Sequence, residues 1–319
     1  MPPAVADSTA SRPRAPRWWG LRRDARFVAA ALRPVSAGGT DLPPLPPGRH
    51  LPLPGRGTTF VRELSGPTGR TPVVLLHGWT MTADLNYHRV YDLLAREHPL
   101  VAMDTRSHGR GIRGTRFTYD DAADDLVALL DTLGLDRAIL AGFSLGGVTA
   151  MATALRHPDR VAGIVPQACA LTYASLPRDR AVHRSLRAVE GLAEHPVCAR
   201  LSQRYWHDTI RRHPDLLPYW GWLSAELATT STREMLEVID AVFATDLRGE
   251  AAALRGTPSA FVVLERDRVC RPDLQRAAAE AIGASVVAVP ADHNLALTRP
   301  HQYGDALLAA LAHVRDRIG

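Results

Sequence analysis

The stretch that decides the fold reads Ala138-Ile-Leu-Ala-Gly142-Phe143-Ser144-Leu145-Gly146-Gly147. A short apolar run leads into a serine flanked by glycines, and an alanine-rich segment of helical length follows at once. This order predicts a buried strand, a tight turn and a helix, with Ser144 at the apex of the turn. Side chains at Gly142 and Gly146 would clash in so tight a turn, which explains both glycines. A serine held at the start of a helix in this way is a candidate nucleophile.

The rest of the chain alternates short apolar runs with amphipathic segments, which predicts a mostly parallel sheet with helices on both faces. We expect an edge strand over residues 59–64 and buried strands over 72–76, 100–103, 138–141, 161–165, 261–264 and 286–289. Helices are expected over residues 87–97, 118–133, 145–156 and 272–282, and from about residue 301 onward. Ligands bind beyond the carboxyl ends of strands in such sheets, so the strand ends are the places to look for a site.

Two late strand ends carry an acid and a histidine. Asp267 follows one of these strands and His293 follows the next. Serine, acid and histidine in this order are typical of folds with such a serine turn. We therefore expect His293 to take the proton of Ser144 and Asp267 to orient the imidazole. Glu265 and Asp292 are rivals for the acid, but Glu265 lies at the strand end and Asp292 adjoins the histidine.

Acyl chemistry also needs an oxyanion hole, which is a pair of N–H donors beside the nucleophile. The backbone N–H of Leu145, at the start of the helix, is one candidate donor. The first buried strand ends in His77-Gly78-Trp79, and the N–H of Trp79 is the second candidate, with its indole as a wall of the site. We interpret His77 as a structural loop histidine rather than a proton-transfer group.

Together these segments resemble the α/β-hydrolase superfamily over about residues 58–317. The matching pieces are His77-Gly78-Trp79, the segment 104–111, the Ser144 turn, Asp267 and His293. The resemblance implies an α/β fold with a mostly parallel, eight-stranded sheet, helices on both faces and a helical cap inserted at residues 168–255. It also implies that Asp104 and His108 brace the site and take no part in catalysis.

The resemblance implies a serine hydrolase that cleaves a carboxylic ester of an apolar small molecule through an acyl-enzyme, without cofactor or metal. The same residues fit an acyltransferase, thioesterase, lactonase, C–C hydrolase or perhydrolase, or a ligand-binding protein with a vestigial triad. Aromatic residues cluster in the cap, where they favour an apolar substrate. Trp79, Phe143, Trp206 and Trp222 are candidate substrate contacts, and packing of the cap onto the body is the alternative for each cap residue.

Composition excludes several other classes of protein. The 319 residues have a net charge of +5, and arginine supplies every basic residue of the lysine and arginine count. The arginines are dense before residue 35 and scattered elsewhere, so we expect no nucleic-acid partner. The three cysteines lack C-x-x-C spacing, which argues against a disulfide framework and favours a cytoplasmic location. No apolar run reaches the roughly 18 residues of a membrane-spanning helix.

The start of the chain is rich in arginine and proline. We interpret residues 1–57 as a partly disordered extension and linker, with the folded body starting near Thr58 and comprising residues 58–167 and 256–319. Residues 18–33 predict a short amphipathic helix packed on the body, with a weak peripheral membrane contact or an export signal as alternatives. The oligomeric state does not follow from the sequence.

Overall fold

A single sheet forms the centre of the computed structural model, which describes residues 38–114, 116–174, 177–188 and 196–318. Its strands are β1 (Gly48–Leu53), β2 (Gly57–Leu64), β3 (Val73–Leu76), β4 (Leu100–Met103), β5 (Ala138–Phe143), β6 (Val161–Gln167), β7 (Ala260–Leu264) and β8 (Ser285–Val289). These eight lie side by side in the order β1-β2-β4-β3-β5-β6-β7-β8. β2 pairs antiparallel with β1 and β4, and all other pairs are parallel, which confirms the predicted fold class.

Helices connect the strands and cover both faces of the sheet. They are α1 (Ala83–Tyr87), α2 (Tyr91–Ala95), α3 (Tyr119–Thr132), α4 (Leu145–Arg156), α5 (Pro177–Ala188), α6 (Pro196–Ile210), α7 (Trp220–Ala228), α8 (Thr232–Ala244), α9 (Pro272–Ile282), α10 (Leu295–Thr298) and α11 (Pro300–Ile318). α4, α9 and β4 have the predicted bounds. The predicted helix over residues 87–97 is wrong in its continuity, because α1 and α2 divide that region.

The core lies in two layers, one on each face of the sheet. Along β3, Val74 and Leu76 pack into the layer that contains α3, α4 and α9, whereas Val73 and Leu75 pack into the layer that contains α1, α2 and α11. Side chains alternate between the faces of a strand, so a strand covered on both sides needs a continuous apolar run. The fully buried Val-Val-Leu-Leu sequence of β3 meets that need.

The folded body begins earlier in the chain than the sequence predicted. The start near Thr58 is wrong, because β1 lies within the proline-dense segment and pairs with β2 from Gly48 to Leu53. Consequently β2 is not the edge strand. β1 is that edge, and an edge strand tolerates a residue such as Pro52 because one side of it needs no backbone donors. Leu51 and Leu53 are buried and anchor the strand to the body.

The segment between β6 and β7 contains α5, α6, α7 and α8, which we call the insertion. Its base is closed by a backbone bridge between Thr172 and Asp246. Glu226 of α7 accepts a hydrogen bond of 2.7 Å from the Thr82 hydroxyl of the body. An apolar cluster docks the insertion onto the body through Leu85, Trp206, Ile210, Leu216, Trp220, Trp222, Leu223, Leu227 and Leu297. The insertion is therefore packed onto the body through both apolar and polar contacts.

The N-terminal segment is only partly described. Residues 1–37 lie outside the described ranges, so the membrane contact and the amphipathic helix predicted for residues 18–33 stay predictions. Further along, the backbone of Gly39 and Asp41 donates to the carbonyl groups of Leu217 and Pro218, each at 3.0 Å. Across the described residues, no helix has both the length and the apolar character needed to cross a membrane.

Candidate active site

The turn at Ser144 connects β5 directly to α4. Ser144 has a positive φ of 53°, which is unusual for a residue with a side chain and marks a strained turn. A Cβ added to Gly142 would lie 2.0 Å from the carbonyl oxygen of Gly146, and one added to Gly146 would lie 2.2 Å from that of Leu76. The predicted requirement for glycine on both sides of the serine is confirmed. The backbone itself forces this serine outward at the end of the strand.

A chain of hydrogen bonds joins Ser144, His293 and Asp267. His293 Nε2 lies 3.2 Å from Ser144 Oγ, and His293 Nδ1 lies 2.6 Å from Asp267 Oδ2. The Asp267 side chain is fully buried, whereas 19% of the His293 side chain is exposed. A buried carboxylate accepting the Nδ1–H selects the tautomer whose Nε2 lone pair faces the serine hydroxyl. The arrangement can therefore remove the serine proton.

The carboxylate of Asp267 is held by further donors. Its Oδ1 accepts the backbone N–H groups of Val269 at 2.8 Å and Cys270 at 3.0 Å. Its Oδ2 also accepts Nε2 of Gln275 at 3.1 Å. These donors satisfy a charge that burial would otherwise destabilise, and they fix the carboxylate toward His293.

Gln275 is a site residue that the sequence reasoning missed. It lies on α9 and is completely buried, on the same helix face as Ala278, Ala279 and Ile282. A polar residue at the spacing of an apolar face was the available signal, because such a residue must find a hydrogen-bond partner.

The two candidate oxyanion donors lie at adjacent strand ends. β3 and β5 are neighbouring parallel strands, and a Cβ added to Gly78 would lie 3.5 Å from Ser144 Cβ. The carbonyl of Gly78 accepts His77 Nδ1–H at 2.9 Å and the N–H of Met81 at 3.2 Å. Since the C=O and N–H of a trans peptide point in opposite directions, these bonds also fix the N–H of Trp79. Neither Trp79 N–H nor Leu145 N–H donates to an acceptor in the described part of the chain.

His77 forms hydrogen bonds with backbone groups and does not contact the nucleophile. Its Nε2 accepts the backbone N–H of Thr105 at 3.0 Å, while its Nδ1 donates to Gly78. Burial lowers the pKa of His77, so the ring stays neutral and can both donate and accept. The interpretation of His77 as a structural histidine is confirmed.

The segment that follows β4 braces the same region. Asp104 Oδ1 accepts the N–H of Ala83 at 2.9 Å, and Oδ2 accepts Arg110 Nε at 2.8 Å. His108 is completely buried, and its ring lies 5.1 Å from that of His77. Burial, with a smaller contribution from His77, lowers the pKa of His108 to about 3. Both residues hold the loop in place, as predicted for a bracing turn.

A cavity of about 270 Å³ opens onto Ser144. The indole of Trp79 forms part of its wall, held by a hydrogen bond of 2.9 Å from Nε1 to the carbonyl of Met235 on α8. Most of the remaining described lining is apolar and comes from both the body and the helices α5 and α8, and the charged side chains come from α5 and the loop after Asp267. These residues are Tyr119, Leu145, Tyr173, Asp179, Val182, Leu186, Ile239, Val242, Phe243, Arg268, Val269, Cys270, Arg271 and Leu274.

The comparison with known proteins agrees with the fold of the chain. A sequence model described as alpha/beta hydrolase fold matches residues 71–300, which is more than half of the chain. The chain belongs to the α/β-hydrolase fold family. The solved structure of the enol-lactonase from Burkholderia xenovorans LB400 superposes on this α/β hydrolase with a TM-score of 0.70 at 22% identity. The superposition covers 83% of this chain and 100% of the other, and it supports the shared fold.

Two curated relatives match shorter stretches of this α/β hydrolase. AB hydrolase superfamily protein YisY of Bacillus subtilis is 34% identical over 111 residues, which cover 34% of this chain and 40% of that protein. The sn-1-specific diacylglycerol lipase ABHD11 of Danio rerio is 34% identical over 102 residues, which cover 31% and 32% respectively. The chain thus spans less than half the length of these curated relatives.

Three of the predicted substrate contacts do not line this cavity. Trp206 and Trp222 are buried in the cluster that docks the insertion onto the body, and neither lines the cavity. Phe143 is also absent from the lining, because its ring packs beneath His293, with 5.1 Å between the ring centroids. Aromatic side chains bury a large apolar area when they pack inside a protein, and each of these three does so. Trp79 is the predicted contact that does line the cavity.

Proposed function

We propose that this α/β hydrolase is a serine esterase that cleaves carboxylic esters of small apolar molecules. The observation that carries the proposal is the hydrogen-bonded chain from Ser144 through His293 to Asp267 at the mouth of an apolar cavity. The N–H groups of Trp79 and Leu145 beside the nucleophile add the oxyanion hole that acyl transfer requires.

The mechanism begins with proton transfer from Ser144 Oγ to His293 Nε2. The serine oxygen attacks the ester carbonyl, and the N–H groups of Trp79 and Leu145 stabilise the resulting oxyanion. Asp267 stabilises the imidazolium, which then protonates the leaving alcohol as the carbon–oxygen bond breaks. A water molecule, deprotonated by His293, attacks the acyl-enzyme and releases the acid with regeneration of the serine.

The cavity supports a small apolar acyl group. Its volume of about 270 Å³ lies just below the usual range for sites of drug-sized ligands. Ile239, Val242 and Phe243 supply aliphatic and aromatic walls from α8. The lipase relative acts on an ester of glycerol by its name, which fits ester cleavage. Since the matched share of that relative is short, the substrate class rests chiefly on the cavity.

A cytoplasmic location belongs to the same proposal. Cys169 and Cys270 are both buried and free. Free thiols in this arrangement fit a reducing compartment, where disulfides are rare.

The test is hydrolysis of p-nitrophenyl esters with acyl chains of increasing length. We expect Ser144→Ala and His293→Ala each to lose at least about 10³-fold in kcat/KM, and the wild type to show an optimum chain length. Ser285→Ala and His313→Ala are matched controls, because Ser285 starts β8 at the opposite end of the sheet and His313 is exposed on α11. Equal rates for wild type and Ser144→Ala would overturn the mechanism.

Product analysis separates ester hydrolysis from the other reactions that the same triad could support. In the presence of an added alcohol, a hydrolase releases mainly free acid, whereas an acyltransferase releases mainly the new ester. Added peroxide gives a peracid if perhydrolysis dominates. Covalent labelling of Ser144 without turnover would identify a binding protein with a vestigial triad.

A further inference from the structure

Several polar side chains lie beneath the Ser144 turn, outside the hydrogen-bonded chain of the nucleophile, and three of them form a connected set. These three are Asn86 of α1, Gln167 at the end of β6 and Tyr303 of α11, and we call them the buried polar cluster. Gln167 and Tyr303 are completely buried, and Asn86 is almost so. The Tyr303 hydroxyl donates to Gln167 Oε1 at 2.8 Å, and Asn86 Nδ2 approaches the same hydroxyl at 3.5 Å.

The side chain at one end of the cluster, and the backbone of the residue at its other end, hold the peptides next to the two oxyanion donors. Asn86 Oδ1 accepts the N–H of Gly78 at 3.0 Å, directly before the peptide that carries the N–H of Trp79. At the other end, the backbone carbonyl of Gln167 accepts the N–H of Ser144 at 2.8 Å, directly before the N–H of Leu145. One connected set of polar groups therefore spans both strand ends of the oxyanion hole.

Ring packing holds the Tyr303 hydroxyl in this position, and burial keeps it protonated. The Tyr303 ring stacks on Tyr87 at 6.1 Å between centroids and meets the edge of Phe143, also at 6.1 Å. Burial raises the pKa of Tyr303 well above its usual value, so the hydroxyl remains a donor.

Stability alone is a poor explanation for polar groups at this place. Burying them costs free energy that their mutual hydrogen bonds only offset, and well-packed apolar residues would serve the core as well. The surrounding layer is rich in apolar side chains, which include Val73, Leu75 and Ala141. What the cluster adds is a directional contact from Asn86 to the backbone of Gly78 and an anchor for the side chain of Gln167, whose own backbone holds Ser144.

We propose that Tyr303 is a positioning residue, which acts through Asn86 and Gln167 to set the relative placement of the Trp79 and Leu145 N–H groups. The proposal rests on the proposed esterase function. Its consequence is that the Tyr303 hydroxyl affects stabilisation of the tetrahedral intermediate and leaves ground-state binding unchanged. A small displacement of either N–H group is enough to weaken oxyanion stabilisation, because that stabilisation depends on preorganised geometry.

The test is Tyr303→Phe, assayed with the best p-nitrophenyl ester and normalised by active-site titration. We expect kcat to fall about ten-fold with KM within about two-fold of the wild-type value, as for loss of an interaction made only in the transition state. A trifluoromethyl ketone that adds to Ser144 places its oxyanion in the same hole, so its affinity should fall by the same factor. The pH dependence of kcat/KM should not move, since His293 and Asp267 are untouched.

Tyr91→Phe is the matched control. Tyr91 is also a buried tyrosine, but its hydroxyl donates to Asp84 Oδ1 at 3.1 Å, away from the Ser144 turn. We expect this variant to change thermal stability without changing kcat or the affinity for the ketone.

Gln167→Met provides a second variant, because it keeps the backbone carbonyl that holds Ser144 and removes the acceptor of the Tyr303 hydroxyl. We expect a similar loss of kcat, and no further loss when Gln167→Met and Tyr303→Phe are combined, since the two act as one unit. Wild-type kcat and ketone affinity in Tyr303→Phe, or additive losses in the double variant, would overturn the inference. An inactive wild type would instead overturn the proposed function.

Discussion

The turn at Ser144 is held by backbone contacts, whereas the insertion above it is held mainly by side chains. At the turn, glycines at positions 142 and 146 bring carbonyl groups within contact distance, and strand pairing fixes the neighbouring loops. In the insertion, Trp206 and Trp222 dock the helices, and Ile239 faces the cavity. We propose that the body sets the rate of the chemistry, while the helices of the insertion add walls of the cavity that limit which substrates fit.

The largest expected effect is the loss of kcat when Asp267, which lies on the body, is substituted. Asp267→Asn should lower kcat by about 10³- to 10⁴-fold with little change in KM, because the amide favours the wrong tautomer of His293. Asp292→Asn is the matched control, since Asp292 is exposed and caps the N–H of Asn294 at 3.0 Å. Steady-state kinetics of the two variants decide between these acids, and an equal loss in Asp292→Asn would contradict the assignment.

A methyl group at the turn should be costly in stability. Gly146→Ala places a Cβ 2.2 Å from the carbonyl oxygen of Leu76, so β3 and β5 must separate. We expect about 3 kcal/mol of destabilisation in urea unfolding. Gly249→Ala, near the end of the insertion, has no atom within 4 Å of the new Cβ and should change stability by less than about 0.5 kcal/mol. Similar losses in both variants would remove the contrast between the two regions.

The burial of His108 in the body should make the stability of the protein depend on pH. His108 has a folded pKa of about 3 against an ordinary 6.5, so the unfolded chain binds the proton first as the pH falls. The stability contribution is complete above pH 6.5 and is lost progressively below it. Between pH 7 and pH 5, protonation of this histidine in the unfolded chain should lower the free energy of unfolding by about 2 kcal/mol.

Urea unfolding of His108→Asn over the same pH range checks this expectation. The variant should lose about 2 kcal/mol less than wild type between pH 7 and pH 5, whatever its absolute stability. His313→Asn, on the exposed face of α11, should follow the wild-type curve. Parallel curves for wild type and His108→Asn would show that this histidine is not buried in its neutral form.

The smallest expected effect tests whether the insertion limits the length of the substrate. Ile239→Phe enlarges a side chain that lines the cavity, so it should lower kcat/KM for the longest accepted ester about ten-fold and leave the shortest ester unaffected. Trp206→Phe, in the docking cluster, should alter stability without changing the preferred chain length. A shift of chain-length preference in Trp206→Phe alone would reverse the assignment of these residues.

The same contrast explains what the sequence could predict. The bounds of α4 and α9 follow from local signals, and the fold class follows from buried strands that carry continuous apolar runs. The three members of the Ser144 chain could be found because parallel strands bring their carboxyl ends to one edge. Each of these inferences depends on nearby sequence or on the topology of the sheet.

The remaining features depend on tertiary contacts that local sequence does not specify. The prolines in β1 argue against a strand when only the sequence is known, because a sheet accepts proline mainly in an edge strand. An aromatic residue on a helix of the insertion, such as Trp222, has the same local pattern whether it faces substrate or the body. The role of Gln275 depends on the approach of α9 to the loop after β7, and hence on packing over the whole sheet.

The most direct test of Ser144 as the nucleophile is the intact mass of the protein after rapid acid quenching of a reaction with a p-nitrophenyl ester. We expect one added acyl group per chain, located on the peptide that contains Ser144 and absent from Ser144→Ala. Turnover by Ser144→Ala at the wild-type rate, or an acyl group on any other residue, would contradict the claim that Ser144 is the nucleophile.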